Sequence, residues 1–369
     1  MGNSTSTKSL KDEPFKTPLF TNTKKEFYRI PALIYIHDSE TFLAFAEKRT
    51  SLDDVDAKFL VIRRGTWEHG RVQWSDMQEL TGAALDGYRT MNPCPVYEKQ
   101  TKTVFLFFNC VYDKVTEQQQ INSRKNKARL CFVKSTDSGQ TWSETTDLTD
   151  TVIGSEIKNW ATFSVGPGHG IQMTNGRLII PAYAYYISGC LSPTPHAFVF
   201  CSDNHGDTWT FGHKVSHTSL ECEMAEITIS NGQSSLYCNA RNTGRYRVEV
   251  CSQNRGEDFD SKPRPTNLEE THGGCQGSVV SFKHGDRSWL LYSHPTDKKK
   301  RRNLGVYVNE SPFSDSRWNK VNVINYGTSA YSDLTQISDT DNQFACLLER
   351  GTSQLEEITF SEFCLDNIM

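Results

Sequence analysis

Short alternating runs of apolar and polar residues recur along almost the whole chain, which is the pattern of β-strands with one buried face. Clusters of Gly, Asn, Asp or Pro separate most of these runs, as expected of turns between strands. Examples of runs that predict strands are residues 33–37, 41–46, 58–63, 104–108, 130–134, 177–181, 197–201, 235–239, 247–252, 278–282, 289–293, 305–309, 344–349 and 357–360. Helical periodicity is nearly absent, and residues 115–127 are the best candidate for a short helix. Because no shift in composition marks a linker, the pattern predicts a single all-β domain.

An octapeptide occurs twice in almost the same form and a third time in a degenerate form. It reads STDSGQTW at residues 135–142 and SDNHGDTW at 202–209, while SQNRGEDF at 252–259 replaces Trp by Phe. In such a turn Asp or Asn accepts hydrogen bonds from nearby backbone N–H groups, Gly supplies a positive φ, and Trp packs the hairpin against its own blade. The irregular spacing of the copies is compatible with one copy per blade of a β-propeller, with strands grouped around a central axis. These residues are therefore expected to be scaffold.

Composition indicates a soluble globular protein. Of the 369 residues, 36% are hydrophobic and 23% charged, and the net charge of −4 gives no reason to expect nucleic acid as a partner. The one basic run, KKKRR at residues 298–302, is interpreted as a solvated loop. No apolar leader opens the chain, and no apolar run approaches the roughly 18 residues of a membrane span. Since the eleven cysteines lack the spacing of metal ligands, a reduced, cytoplasmic protein is expected.

The first residues, MGNSTS, fit the pattern for N-myristoylation of Gly2. One acyl chain holds a protein at a membrane only marginally, and only Lys8 and Lys11 lie nearby as basic residues. The alternative is an unmodified, flexible polar leader over residues 1–18, followed by one propeller domain over residues 19–369. The predicted location is the cytoplasm, with weak peripheral association with a membrane if Gly2 is acylated.

Several segments resemble the sialidases (neuraminidases), and most closely the vertebrate cytosolic and plasma-membrane sialidases. They are YRIP at residues 28–31, AEKR at 46–49, MNPCP at 91–95, VTEQQQ at 115–120, VGPGH at 165–169, GCQGS at 274–278 and AYSDL at 330–334. The likeness keeps one order and covers nearly the whole chain. It implies a six-bladed β-propeller with Asp-box hairpins, which is the family's name for the octapeptide turn. It also implies exo-α-sialidase activity on sialylated glycoproteins, gangliosides and oligosaccharides.

The resemblance implies three arginines that hold the carboxylate of sialic acid, at Arg29, Arg241 and Arg301. Guanidinium groups suit this task because they stay charged and bind a carboxylate through two hydrogen bonds. Arg302 is the rival of Arg301, but it is in phase with the apolar face of the following strand, whereas Arg301 is in phase with the polar face. Glu349 matches the glutamate that orients the first arginine of the family.

The resemblance also implies that the nucleophile is Tyr331, because a neutral phenol avoids repulsion by the carboxylate on the anomeric carbon. A phenol has a pKa near 10, so it needs an adjacent base. Spacing alone does not choose among Glu221, Glu223 and Glu226 in the run LECEMAE, and the family's Ala-Glu match favours Glu226. The reaction would then proceed with retention, through a covalent sialyl-tyrosine intermediate.

The acid that protonates the leaving sugar is expected in the loop at residues 50–56, where Asp54 takes the family's position and Asp53 is the rival. Further matches to substrate contacts are Arg49, Met91 and Asn92 on the N-acetyl side, Glu117, Tyr183 and Tyr185 near the glycerol tail, and Gln276 in the pocket. No metal or other cofactor is expected, because the arginines supply the positive field.

Two other functions stay open at this point. A catalytically silent propeller that binds sialylated glycans would need the arginines but would not need Tyr331, Glu226 and Asp54 together. A trans-sialidase would need an acceptor site, which a single sequence does not reveal.

Overall fold

The computed structural model describes residues 14–228, 232–313, 317–338, 340 and 342–369. Within these residues the chain is all-β, with twenty-four strands and the two short α-helices α1 (Glu117–Ser123) and α2 (Leu365–Ile368). Short helical turns of the 3-10 or π type cover His37–Ser39, Asp54–Asp56, Thr149–Ile153 and Gly154–Asn159. The strands are β1 (Lys16–Thr21), β2 (Phe27–Ile36), β3 (Thr41–Arg49), β4 (Ala57–Glu68), β5 (Arg71–Trp74), β6 (Gln78–Glu79), β7 (Tyr88–Glu98), β8 (Thr103–Tyr112), β9 (Ala128–Ser135), β10 (Thr146–Asp147), β11 (Trp160–Val165), β12 (Ile171–Gln172), β13 (Leu178–Ser188), β14 (Leu191–Ser202), β15 (Thr210–Phe211), β16 (Cys222–Thr228), β17 (Ser234–Ala240), β18 (Val248–Ser252), β19 (Ser278–His284), β20 (Arg287–Pro295), β21 (Arg302–Asn309), β22 (Asn319–Ser338), β23 (Gln343–Gly351) and β24 (Glu357–Cys364).

The N-terminal prediction falls partly outside this description. Gly2, Lys8 and Lys11 lie outside the described residues, so the predicted acylation site has no structural account. Residues 16–18, at the end of the predicted leader, already belong to β1. In the described part of the chain no helix is long and apolar enough to span a bilayer.

The described strands form five antiparallel sheets in which neighbours in space are mostly neighbours in sequence. The sheets run β2-β3-β4-β5 with β6 on β4, β7-β8-β9-β10, β11-β13-β14-β15 with β12 on β13, β16-β17-β18, and β19-β20-β21-β22-β23-β24-β1. Strand β1, near the start of the chain, pairs with β24 near its end. The arrangement is therefore propeller-like, and this pairing joins the two ends of the chain.

The largest sheet contains one strand of unusual length, β22, with 20 residues. Residues 319–328 of β22 pair with β21, and residues 328–338 pair with β23. The register shifts on both sides of residue 328 bend the strand away from its first partner. Strand β22 therefore contributes to two groups of strands in succession.

The innermost strands surround a central axis. Strand β2 packs against β7 and β22, and β19 packs against β16 and β22. The apolar core lies between adjacent sheets, where one cluster joins Phe107 of β8 to Phe163 of β11 and Phe198 of β14. Since each sheet is covered on both faces by its neighbours, the inner strands are held rigidly at the axis.

All three octapeptides adopt the same turn. In the first, the backbone N–H of Gly139 donates to Oγ of Ser135 at 2.9 Å, and that of Thr141 donates to Oδ1 of Asp137 at 2.9 Å. The copies at residues 202–209 and 252–259 repeat these bonds with Asn in place of Asp. A side-chain oxygen is all that the turn requires, so Asn serves as well as Asp.

The tryptophan of the octapeptide packs differently from the prediction. The ring centroid of Trp142 lies 5.9 Å from that of Phe45, and the centroid of Trp209 lies 4.6 Å from that of Phe107. Both phenylalanines belong to the preceding sheet, on β3 and β8. The tryptophan therefore fills the space between two sheets instead of packing within its own.

The predicted helix at residues 115–127 is present but shorter, as α1. Thr116 caps it, because its Oγ1 accepts from the backbone N–H of Gln119 at 3.0 Å while the Gln119 side chain accepts from the N–H of Thr116 at 2.8 Å. The cap fixes Glu117 at the first position of the helix.

Candidate active site

Two cavities occupy the two ends of the inner strands. Strand β2 places Arg29 in the first cavity and Ile34 in the second, and β22 places Tyr331 in the first and Thr335 in the second. Because the inner strands contribute earlier residues to one cavity and later residues to the other, the cavities lie at opposite ends of the axis. We call the cavity lined by Arg29 and Tyr331 the upper cavity, and the cavity lined by Ile34 and Thr335 the lower cavity.

Irregularities in the inner strands coincide with the residues of the upper cavity. Register shifts interrupt the pairing of β2 between Arg29 and Ala32, of β7 between Met91 and Cys94, and of β22 near Tyr331. Such bulges re-aim side chains and are frequent beside active sites. Ile30 has a φ of 61°, a strained conformation for a β-branched residue, and its N–H donates to Glu349 at 2.9 Å.

The three predicted arginines meet in the upper cavity around the ring of Tyr331. The guanidinium carbons of Arg29 and Arg301 lie 5.6 Å and 5.5 Å from its centroid, and Arg241 donates to its hydroxyl oxygen at 3.2 Å. Arg302 is exposed and does not line this cavity. The structure thus assembles a field of three positive charges from three distant segments.

Arg29 is held by a carboxylate. Its Nε donates to Oε1 of Glu349 at 2.6 Å, and Oε2 of Glu349 accepts from the backbone N–H of Tyr331 at 3.1 Å. Burial opposes the charge on Arg29, but the carboxylate of Glu349 outweighs it and raises the pKa of the guanidinium. Glu349 therefore orients Arg29 and the strand that carries Tyr331 together.

Arg241 and Arg301 are held differently. Arg241 donates to Oε2 of Glu221 at 2.8 Å and to the carbonyl of Gly273 at 2.9 Å. Arg301 donates to the carbonyl of Gly274 at 3.0 Å. A loop backbone, not a strand-borne carboxylate, is thus the common support of these two arginines.

The hydroxyl of Tyr331 donates a hydrogen bond to Oε1 of Glu221. Tyr331 is 6% exposed and Glu221 is 7% exposed, so this pair is screened from bulk water. Burial and the charge of Glu221 raise the pKa of Tyr331, while the charges of Arg241 and Arg301 act to lower it. A neutral phenol in contact with a carboxylate is the arrangement of a nucleophile with its base.

The prediction that Glu226 is the base is wrong. Glu226 lies at the lower cavity, where its carboxylate accepts from the N–H and the hydroxyl of Thr174 at 2.7 Å and 2.9 Å. Strand β16 runs from one cavity to the other, and five residues of extended chain span roughly 16 Å. Glu221, which precedes this strand at the upper end, is the carboxylate beside Tyr331.

Asp53 and Asp54 both line the upper cavity, and only Asp54 contacts the neighbouring arginine. Oδ1 of Asp54 accepts from Arg49 at 2.7 Å, and the Asp54 side chain is 72% exposed. Arg49 does not face the cavity, because its guanidinium is fully buried and also bonded to Glu47. The structure therefore does not place Arg49 in the wall of the upper cavity, where its predicted contact with substrate would require it, and Arg49 instead supports Asp54 from behind.

The other predicted contacts divide between the cavity wall and the interior. Those that line the upper cavity are Met91, Asn92, Glu117, Tyr183 and Tyr185. The hydroxyl of Tyr183 donates to Glu117 at 3.3 Å. Desolvation in the cleft, together with the charges of Glu221 and Asp54, raises the pKa of Glu117 to about 7.

Gln276 is buried behind the cavity, contrary to its predicted place in the pocket. Its Nε2 donates to Glu223 at 3.1 Å and to the carbonyl of Ser332 at 3.0 Å, and its Oε1 accepts from the N–H of Ser332 at 3.1 Å. Gln276 therefore ties Glu223 to the residue that follows Tyr331.

Below Gln276, the side chains of His169, Glu223 and Asp333 bring potential metal ligands within 4.8 Å of one another. Asp333 accepts from His169 at 2.7 Å and from the N–H of Leu33 at 2.6 Å. The hydroxyl oxygen of Ser278 lies between the two carboxylates, 2.8 Å from Glu223 and 3.0 Å from Asp333, and its one hydrogen bridges them. Burial and the neighbouring Asp333 raise the pKa of Glu223 well above its usual range. Because these carboxylate oxygens already accept hydrogen bonds, the cluster fits a structural tie between inner strands better than a cation site.

Asn109 and Ser164 are among the polar residues of the upper cavity that were missed from the sequence. The side chain of Asn92 donates to Oγ of Ser164, which donates to Oδ1 of Asn109 at 3.0 Å. No local signal marked them, because each lies in an apolar strand and meets its partners only across strands.

Known proteins resemble this chain in sequence and in fold. Residues 40–344 match the BNR repeat-like domain family. Sialidase-3 of Bos taurus is 44% identical over 95% of this chain and 92% of its own length, and Sialidase-2 of Mus musculus is 46% identical over 92% of both. Among solved structures, the Hadza microbial sialidase Hz136 superposes with a TM-score of 0.77 at 23% identity, over 93% of this chain and 66% of that one. At that identity the structural likeness concerns the fold alone.

Proposed function

This chain belongs to the sialidase family, and we propose that it removes terminal sialic acids from glycoproteins, gangliosides and oligosaccharides with retention, through a covalent intermediate on Tyr331. As an exo-α-sialidase it is a glycoside hydrolase. The observation that carries the mechanistic proposal is the hydrogen bond from Tyr331 to Glu221 within reach of three guanidinium groups.

The arginines bind the substrate by its carboxylate. Arg29, Arg241 and Arg301 surround the ring of Tyr331, so a carboxylate held between them brings the adjacent anomeric carbon to the phenol oxygen. Each charge-assisted contact is stronger than a neutral hydrogen bond. Fixing the sugar at two neighbouring atoms supplies the orientation that the attack needs.

In the first step the phenol oxygen of Tyr331 attacks the anomeric carbon while Glu221 takes its proton, and the bond to the leaving oxygen breaks. Asp54 gives its proton to that oxygen, so the released alcohol is neutral. In the second step Asp54 takes a proton from water, the water oxygen attacks the same carbon, and the bond to Tyr331 breaks. Glu221 then returns the proton to Tyr331, and two inversions leave the configuration unchanged.

We also propose that the propeller has six blades within one catalytic domain. The five sheets become six groups if β22 is divided where it changes partner, and the pairing of β1 with β24 supports closure of the last group. The three octapeptide turns would then be Asp boxes between blades.

The experiment that tests the mechanism uses a fluorogenic aryl sialoside and a fluorinated sialic acid that slows the second step. We expect wild-type enzyme to gain the mass of one sialyl group, which peptide mapping should locate on Tyr331, and to release the α-anomer first by NMR. Turnover without an adduct on Tyr331 would contradict the covalent step. Binding without turnover would instead indicate a silent glycan-binding propeller, and transfer of the sugar to added lactose would indicate a trans-sialidase.

A further inference from the structure

The loop between residues 270 and 275 supports two of the three arginines. The carbonyl of Gly273 accepts from Arg241 at 2.9 Å, and the carbonyl of Gly274 accepts from Arg301 at 3.0 Å. Within the described residues this is the one hydrogen bond that the guanidinium of Arg301 makes. The direction of Arg301 therefore depends on where the loop backbone lies.

Glu270 holds this loop through a fully buried carboxylate. Oε1 accepts from the N–H of Asn242 and from Arg247, both at 2.9 Å. Oε2 accepts from the N–H of Cys275 at 3.2 Å and from Nε2 of His294 at 3.1 Å. One carboxylate thus bonds the residue after Arg241 and the residue after Gly274.

The charge on Glu270 is secured by its surroundings. Burial alone would favour the neutral acid, but the charge of Arg247 and the bond from His294 hold the pKa of Glu270 at about 2. The carboxylate therefore remains an acceptor at every pH at which the enzyme would work. A protonated acid would lose one acceptor and release one of the two backbone N–H groups.

The backbone of the loop lies directly against Arg241. Gly274 has a φ of 74°, and a Cβ at this position would lie 2.5 Å from the carbonyl oxygen of Asn242 and 2.9 Å from Nε of Arg241. Only glycine fits this approach without displacing its neighbours. A shift of the loop is therefore transmitted to the guanidinium.

We propose that Glu270 is a positioning residue that aims Arg241 and Arg301 at the substrate carboxylate through the carbonyls of Gly273 and Gly274. This inference rests on the proposed function, because it takes the arginine field as the binding site for that carboxylate. Arg29 is independent of Glu270, since Glu349 on β23 holds it.

The first test compares Glu270→Gln with Glu249→Gln. Glu249 is also fully buried, but it bonds Tyr237 and Trp318 and makes no contact with the loop. We expect Glu270→Gln to raise KM by about tenfold. The Ki of a sialic acid analogue that lacks a leaving group should rise by the same factor, because one charge-assisted hydrogen bond is lost. Glu249→Gln should lower Tm by about as much as Glu270→Gln lowers it, but it should leave KM within twofold of the wild-type value. Equal KM values in both variants would overturn the proposal.

The second test asks which arginine responds to Glu270. We expect Glu270→Gln and Arg301→Lys to be non-additive in their effect on Ki, and Glu270→Gln and Arg29→Lys to be additive. A merely structural role would give the same additivity with both arginines, and that result would overturn the proposal.

If Glu270→Gln does not fold, Gly274→Ala provides a third test of the proposal. Gly274→Ala shifts the same carbonyl without removing a buried charge, and we expect it to raise KM at least fivefold. An unchanged KM in a folded Gly274→Ala variant would overturn the proposal. If the proposed function itself were wrong, wild-type enzyme would not turn over the aryl sialoside. If only the role of Glu270 were wrong, wild-type turnover would be normal.

Discussion

The upper and lower cavities have nearly the same volume, about 750 and 740 Å³, but different arrangements of charge. The upper cavity holds three guanidinium groups around a phenol that is paired with a carboxylate. The residues that line the lower cavity include Tyr35, Met224 and Phe282, and the carboxylate of its Glu226 accepts two hydrogen bonds from Thr174. Volume therefore does not identify the candidate site in this propeller-like fold. The convergence of three positive charges beside the phenol of Tyr331 does.

The difference follows from how the inner strands cross the molecule. Each strand carries polar residues toward both ends of the axis, while Gln276, Glu223 and Asp333 fill the middle with hydrogen bonds. Substitutions made in matched pairs, one at each end, test whether catalysis belongs to the upper end alone.

The largest effect is expected from Tyr331→Phe, paired with Tyr35→Phe in the lower cavity. Removing the oxygen that we propose as the nucleophile should lower kcat on an aryl sialoside by about a thousandfold or more, while affinity for a sialic acid analogue is retained. Tyr35→Phe should leave kcat unchanged. A Tyr331→Phe variant with normal turnover would show that the phenol is not the nucleophile.

The next effect separates two glutamates of the same short run. Glu221→Gln removes the carboxylate that we propose as the base for Tyr331, and it should lower kcat/KM by about a hundredfold or more. Glu226→Gln changes a carboxylate at the lower cavity and should keep kcat/KM within twofold. Steady-state kinetics of both variants would check this, and the reverse ranking would restore Glu226 as the base.

A smaller effect is expected from the positive field. Arg301→Ala should weaken binding of a sialic acid analogue by about ten- to a hundredfold, because a charge-assisted contact to the carboxylate is lost. Lys283→Ala at the lower cavity removes one positive charge as well and should not change the affinity. Isothermal titration calorimetry measures both, and equal losses would mean that only net charge matters.

The smallest effect concerns pH. Because the pKa of Glu117 is raised to about 7, this carboxyl is neutral below pH 7 and gains a negative charge above it. The charge faces an anionic substrate, so KM of the wild-type enzyme should rise severalfold between pH 6 and 8. Glu117→Gln should flatten this rise, while Glu226→Gln should keep it. A wild-type rise that persists in Glu117→Gln would assign it to another group.

Every run that predicted a strand overlaps an observed strand. Among the described strands, the runs do not include the short strands β1, β5, β6, β10, β12 and β15. They also do not include four of the innermost strands, β7, β11, β16 and β22. These strands carry polar residues toward the axis, and register shifts interrupt the alternation of β7, β11 and β22. A pattern of period two therefore fails where the strand serves the site.

Several site residues were predicted from family motifs, and the structure brings Arg29, Arg241, Arg301 and Tyr331 together. Position along a motif did not decide which of the acids in LECEMAE reaches Tyr331. Glu221 precedes β16 at the upper end of the axis, whereas Glu226 lies on β16 at the lower end. Similarly, it did not reveal that Arg49 and Gln276 are turned inward by buried carboxylates.

By itself, the sequence determined the octapeptide turns, most of the middle strands of the sheets, the all-β class and the family, because these depend on residues a few positions apart or on a run of motifs. Only the tertiary structure decided which end of the axis each polar residue serves. The contact between Arg29 and Glu349 joins residues 320 positions apart, and that between Tyr331 and Glu221 joins residues 110 apart. Such pairs form only when the sheets pack around a common axis, so bulges and packing, not local spacing, set the direction of each side chain.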